Sequence, residues 1–153
     1  MIELYKPEIN DLWFKQKMLS DEQTMSYNNA YGGTIHFPEE CWETWYNKWI
    51  VNHEQKRFYR YIMVNNTFVG EVSYHWDEIK HIYMVDVLIY NQCRHKGYGR
   101  EALIEICHIA KTNGIHELFD EIAADNTSIN MFLKNGFEEV TREEEFIQIK
   151  IKL

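Results

Sequence analysis

Residues 85–103 read VDVLIYNQCRHKGYGREAL, an apolar strand pattern that passes through a basic, glycine-containing turn into a helix. No other stretch constrains the fold as tightly. A strand handed directly to a helix implies a sheet that this helix covers, because each element has one apolar face to bury. Gly97 and Gly99 let the backbone turn so that several N–H groups converge at the helix N-terminus. The helix dipole adds partial positive charge there, and Arg94, Lys96 and Arg100 add full charges. Such a turn suits a diphosphate. The plainer alternative is a strand-to-helix turn with solvated charges.

Around this turn the chain alternates short elements. Phe58 to Val64 and Thr67 to Trp76 are rich in aromatic and β-branched residues, and Asn65-Asn66 between them suits a tight hairpin turn. His81 to Tyr90 adds a third strand to an antiparallel meander. Ile2 to Tyr5 reads as a strand, and Pro7 is placed to open a helix with Ile9, Leu12, Trp13 and Leu19 as its apolar stripe. Ser20 and Gln23 form a capping-box pattern for a second short helix, and Tyr27 to Phe37 reads as a loop.

Pro38, Glu39 and Glu40 start a further helix, on which Trp42, Trp45 and Trp49 recur at helical spacing, favouring core packing over an aromatic cage. Downstream, a helix from about Gly99 to Lys111 buries Ala102, Leu103, Ile106, Ile109 and Ala110. Leu118 to Ala123 is a strand, Asn126 to Asn135 a short helix, and Phe137 to Leu153 two more strands. A meander leading into β-α-β-α units predicts an α/β (α+β) architecture. Its sheet is mixed and mostly antiparallel, with six or seven strands and helices on both faces.

Composition narrows the functional classes. The 153 residues suit a single domain, and 45% hydrophobic residues are enough for a real core. With 16 basic and 24 acidic side chains, a net of −8, the chain lacks the basic face that nucleic acid requires. No apolar run approaches the roughly 20 residues of a membrane span. Cys41, Cys93 and Cys107 form no CxxC pair, as expected of reduced thiols in a cytoplasmic protein. The seven histidines show no metal-ligand spacing, so no metal is expected.

Two motifs compete for the basic turn. Gly97-Tyr-Gly99-Arg-Glu-Ala102 matches the G-x-G-x-x-A fingerprint of nicotinamide dinucleotide-binding oxidoreductases, with Asp120 as ribose acceptor. That fingerprint belongs in the first tight turn of a parallel fold. Here a meander precedes it, and Asn91 to Lys96 intervene between strand and glycines. Arg94-x-x-Gly97-x-Gly99 fits better, because it resembles the R/Q-x-x-G-x-G/A loop of the GNAT superfamily of N-acetyltransferases. Asn126-Thr-Ser128-Ile129, followed by Phe132-Leu-Lys134-Asn-Gly136-Phe137, resembles that family's N-x-x-S/A-I…Y-x-K-x-G-F stretch. Element order agrees across essentially the whole chain.

The resemblance implies the acyl-CoA N-acyltransferase fold and acetyl-coenzyme A (acetyl-CoA) as donor. In this family the strand before the loop splays from its neighbour, and its free backbone groups bind the pantetheine arm like an added strand. The backbone of Val87, Leu88 and Ile89 would then bind pantetheine, and Arg94, His95, Lys96, Gly97, Tyr98, Gly99 and Arg100 would surround the diphosphate. Asn126 would contact the coenzyme or pin the splayed strand, or else serve only as an N-cap. Transfer is expected to be direct, within a ternary complex, after a carboxylate has taken a proton from the amine. Asp86, inside the apolar strand, is the first candidate base and Glu71 the second. One departure stands out. The position where many relatives carry a tyrosine acid is Phe132, which cannot protonate a thiolate.

The acceptor side of the family is built from the first helices and their loop, which implicates Tyr27, Asn28, Tyr31 and His36. Residues 1–54 carry 4 basic and 9 acidic side chains, which would steer a cationic amine inward. The acceptor is thus expected to be a small-molecule primary amine or a peptide N-terminus, loosely as in the ribosomal-protein and polyamine acetyltransferase branch. The alternative is a catalytically silent acyl-CoA-binding module, motivated by Phe132. Paired protomers are common in the family, which allows a homodimer, although no surface stripe in the sequence marks one.

Overall fold

The computed structural model describes residues 1–153. Seven strands form one sheet: β1 (Glu3–Tyr5), β2 (Arg57–Val64), β3 (Thr67–Asp77), β4 (Ile82–Ile89), β5 (Glu117–Ala123), β6 (Glu138–Arg142) and β7 (Phe146–Lys152). Their order is β1-β2-β3-β4-β5-β7-β6, antiparallel throughout except for the parallel β4–β5 neighbours. The hairpin turn is where the asparagines place it, with Asn65 and Asn66 at φ 49° and 61°. Gly70 in β3 is obligatory for another reason: a Cβ there would collide with the Leu88 carbonyl of β4.

Four helices cover the sheet: α1 (Leu12–Ser20), α2 (Trp42–Tyr46), α3 (Tyr98–Thr112) and α4 (Ile129–Lys134). Helices α3 and α4 close one face with an aliphatic core that includes Val85, Ala102, Leu103, Ile106, Leu118, Ile122, Phe132 and Ile149. Helices α1 and α2 close the other, where Leu12, Phe14, Met18, Phe37, Tyr59, Tyr61 and Leu88 pack with the Trp42, Trp45 and Trp49 rings. The tryptophans are therefore core. A π-helical turn, Asn47–Val51, extends α2 and carries Trp49.

Four local expectations are corrected. Pro7 does not open the first helix; a 3₁₀ turn, Ile9–Asp11, intervenes, with Glu8 and Asp11 completing a capping box around it. The buried face of α1 is Leu12, Phe14, Lys15, Met18 and Leu19, while Ile9 and Trp13 are exposed. Ser20 caps no helix, because its hydroxyl donates to the Lys17 carbonyl; Asp21 instead accepts from the Thr24 backbone N–H and hydroxyl. The first part of the expected loop is a 3₁₀ helix, Ser26–Tyr31, that Gly32 ends at φ 108°. At Pro7 and Ser20, a side chain with a nearer partner displaced the pattern read from spacing. No helix is long and apolar enough to cross a membrane.

Candidate active site

The site follows from how β4 is paired. On one side β4 is zipped to β3 over its whole length, with Ser73 opposite Asp86 and Glu71 opposite Leu88. On the other side it meets β5 at a single pair, Met84 and Phe119. Beyond that pair the strands part, and the edge of β4 from Val85 to Ile89 has no ladder partner in β5. An unpaired edge inside a sheet is costly unless something else supplies hydrogen bonds. Val87 and Ile89 turn toward the aliphatic core and Leu88 toward the aromatic one, as strand alternation requires.

The opened edge leads into the basic turn. His95 and Gly97 take left-handed φ values of 64° and 85°, and α3 begins at Tyr98. A Cβ on Gly97 would meet no protein atom within 4 Å, so the glycine answers a backbone requirement over open space. Gly99 is different, since a Cβ there would lie at ordinary contact distance from Ile89 and Met131. His95, Lys96 and Arg100 are exposed around the helix N-terminus, and Tyr98 packs against the core. Arg94 is committed elsewhere. Its guanidinium donates to the carbonyls of Ile89 at 3.0 Å and Thr24 at 2.8 Å, clasping the 21–26 turn to the end of β4. Thr24 completes that clasp, as its hydroxyl accepts the Asn91 N–H at 3.0 Å. A polar cavity of about 560 Å³ adjoins the clasp, lined by residues including Glu22, Asn29, Asn91 and Arg94.

Asp86 lies on β4 opposite Ser73, one residue before the Val87 to Ile89 part of the unpaired edge. It is solvent-accessible yet surrounded by protein, so it remains reachable while losing much of its hydration. That desolvation and the Glu71 charge push its carboxyl up to about 6, against the pull of Lys15 and a hydrogen bond from the Val87 N–H. Glu71 is enclosed. Its carboxylate is ion-paired to Lys15 Nζ at 3.0 Å and accepts the Tyr59 hydroxyl. The Lys15 ammonium also lies 4.9 Å from the Trp45 ring centroid and 5.0 Å from that of Tyr59. The tryptophan-rich wall thus serves a lysine of the chain itself.

Of the acceptor-side residues, Tyr27 alone is coupled to this carboxylate group. Its hydroxyl is pushed well up by burial and by the charges of Asp86, Glu71 and Asp120. Asn28 closes its own loop by donating to the Gly33 carbonyl at 2.8 Å. Tyr31 is 73% exposed, and His36 is exposed as well; neither makes a contact with the Asp86 group. Asn126 accepts the Ser128 N–H at 3.0 Å in the turn before α4, which begins only at Ile129. Phe132 is buried against Phe137 with ring centroids 5.1 Å apart.

Sequence reasoning passed over Lys15 and did not bring Asp120 to this site. Both carry a detectable signal: Lys15 falls on the apolar stripe between Leu12 and Met18, and Asp120 alternates with Leu118 and Ile122. Burial and the neighbouring Asp86 charge push the Asp120 carboxyl well above its ordinary range.

The family model of the acetyltransferase (GNAT) domain matches residues 2–138. The chain belongs to the GNAT acetyltransferase family. Membership makes this GNAT protein an acetyl-CoA-dependent N-acetyltransferase. Among solved structures, it is similar to the PaiA N-acetyltransferase of Thermoplasma acidophilum in complex with coenzyme A. Identity there is 19% and the TM-score 0.73, covering 100% of this chain and 99% of that one. It is also similar to the spermidine N-acetyltransferase of Vibrio cholerae in complex with coenzyme A and spermine (18% identity, TM-score 0.80, 99% and 95% coverage). A third is the ribosomal-protein-alanine N-acetyltransferase of Brucella melitensis (20% identity, TM-score 0.75, 100% and 99% coverage). At such identities the likeness is one of fold. No curated protein sequence matches the chain. The GNAT fold accounts for the parted β4–β5 edge and the glycine turn beside it, which together fit a pantetheine diphosphate.

Proposed function

We propose that residues 1–153 form one N-acetyltransferase domain that acetylates a primary amine, either a cationic small molecule or a peptide N-terminus, with donor and acceptor bound together. The observation that carries this reading is a solvent-reachable carboxylate, Asp86, on the strand whose opposite edge is free beyond Met84. Acetyl-CoA supplies the activated acetyl thioester. The free edge from Val87 to Ile89 suits the amide-bearing arm of that donor, since extended backbone pairs with amides as a strand would. The N–H groups at the start of α3, with Lys96 and Arg100, suit its diphosphate. Arg94 supports that turn through the carbonyls it binds, as a brace rather than an anion ligand.

Asp86 accepts the amine proton. An amine with a pKa near 10 is mostly protonated at neutral pH and must lose a proton before it can attack. A carboxylate held at about 6 is ionised at neutral pH and more basic than an ordinary aspartate. Glu71 is a poorer candidate, because Lys15 and Tyr59 occupy its oxygens. Tyr27, whose hydroxyl senses the same carboxylates, is the acceptor-side residue that this reading assigns to the amine. The acidity of residues 1–54 favours cations approaching from this side.

Steady-state thioester consumption across a panel of primary amines tests the proposal. Turnover should rise with pH through about 6, as the base loses its proton. Asp86→Asn should lower kcat by about 10²- to 10⁴-fold and abolish that limb, leaving coenzyme A affinity intact. An unchanged profile in the variant would remove Asp86 as base. Tight coenzyme binding with no turnover on any amine would favour the silent module that the buried Phe132 allows.

A further inference from the structure

We propose that Asp120 is the proton donor to the departing thiolate, the role left open by Phe132. The inference rests on the proposed seating of the donor along the free edge of β4. Asp120 directly follows Phe119, the last residue of β5 to pair with β4, so it stands where the strands part. It is cross-strand partner to Ile149 of β7 and alternates with Leu118 and Ile122, which places it on the aliphatic face. Phe132 of α4 belongs to that same face. Asp86 belongs to the other, beside Leu88 and opposite Ser73. The two aspartates therefore flank the opening from opposite sides of the sheet.

Their environments differ. Asp86 faces Glu71 of β3 and Lys15 of α1, and its carboxylate is held at about 6. Asp120 is surrounded by apolar strand neighbours, and the charges nearest it are Asp86 and the adjoining Glu121, itself paired with Lys80. Tyr27 is the remaining titratable group that couples to both. Burial and the Asp86 charge both raise the Asp120 carboxyl and so favour its protonated form. Its Oδ1 accepts the Glu121 N–H at 2.8 Å, and Oδ2 has no protein partner. Every fully buried side-chain oxygen has a partner, so Oδ2, which has none, is not fully enclosed.

In the transfer, the ammonium first loses one proton to Asp86, which releases it to solvent; the amine nitrogen then bonds to the acetyl carbon and passes a second proton to Asp86. The carbon–sulfur bond breaks, its electron pair stays on sulfur, and sulfur takes the Asp120 proton to leave as the thiol. A proton then returns from Asp86 to Asp120 through solvent, which restores both groups.

Asp120→Asn and Asp120→Leu test this. Asp120→Asn should lower kcat by about 10²-fold or more, leave KM for acetyl-CoA unchanged, and remove the alkaline limb of the wild-type profile. The ligand-free protein supplies a second readout. A carboxyl held above its unfolded value is destabilising once pH passes that unfolded value, so Asp120→Leu should raise the melting temperature, more at pH 8 than at pH 5. Full kcat with an intact alkaline limb in Asp120→Asn overturns the proposal. So does a melting temperature that falls equally at all pH values in both variants, which would mark a structural carboxylate. Calorimetric titration with coenzyme A separates the two readings. Failure of the wild type to bind it sinks the donor seating and this role together, whereas normal binding with an unaffected Asp120→Asn sinks this role alone.

Discussion

The two faces of the sheet are built from different materials. Under α3 and α4 the core is mainly aliphatic, with Tyr74, Phe132 and Phe137 as its buried aromatics, and Asp120 alternates with core residues of that face near the opening. Under α1 and α2 the core is richer in aromatic rings and carries buried Lys15, Glu71 and Ser73 beside Tyr59 and Tyr61, whose hydroxyls are both engaged. An aliphatic layer needs only shape and volume, and it tolerates exchange of similar residues. A polar layer holds together only while each member keeps its partner. The difference suggests a division of labour. On the proposed reading, the aliphatic face would support a donor site made mostly of backbone, and the polar face would set the charge around the acceptor.

The largest expected effect comes from breaking the polar face. Lys15→Met leaves the Glu71 carboxylate buried without its cation, and should cost about 3–5 kcal/mol in chemical denaturation. A loss under 1 kcal/mol would mean that the ion pair is dispensable and the contrast between faces overstated. Next comes the turn between them. Gly97→Ala forces a Cβ into the left-handed region at φ 85°, costing roughly 1–2 kcal/mol, and should raise KM for acetyl-CoA while leaving kcat nearly unchanged. A fall in kcat alone would detach the turn from donor binding.

On the aliphatic face, Ile106→Val removes one buried methylene and should cost about 0.5–1.5 kcal/mol without altering the pH profile. A shifted profile would show that this face also tunes the base. The smallest effect is electrostatic. Glu71→Gln keeps the side-chain shape but removes the charge that raises Asp86, so the acid limb should move below about 6. A limb that stays in place would mean desolvation alone sets Asp86.

How far the sequence could be read follows the range of the interactions involved. Asn65-Asn66, the alternation of β2 and β3, and the glycine turn before α3 all depend on neighbours a few residues away, and each lies where the pattern puts it. Helix starts were less legible. Pro7 and Ser20 both carry start signals, yet a capping box at Glu8 and the Asp21–Thr24 hydrogen bonds prevailed. Arg94 shows a motif position keeping its place while its side chain serves another end, because two carbonyls lie within its reach.

The sequence by itself determined the strand-turn-helix segment, the meander ahead of it and hence the family, because period-two alternation and left-handed turn residues are local properties. Only the tertiary structure joined Lys15 to Glu71, 56 residues away, and set Asp86 and Asp120 on either side of one opening. Those pairings depend on which strands lie side by side and where they part. An acidic residue in an apolar strand reads alike at both positions until the sheet sets what surrounds each one.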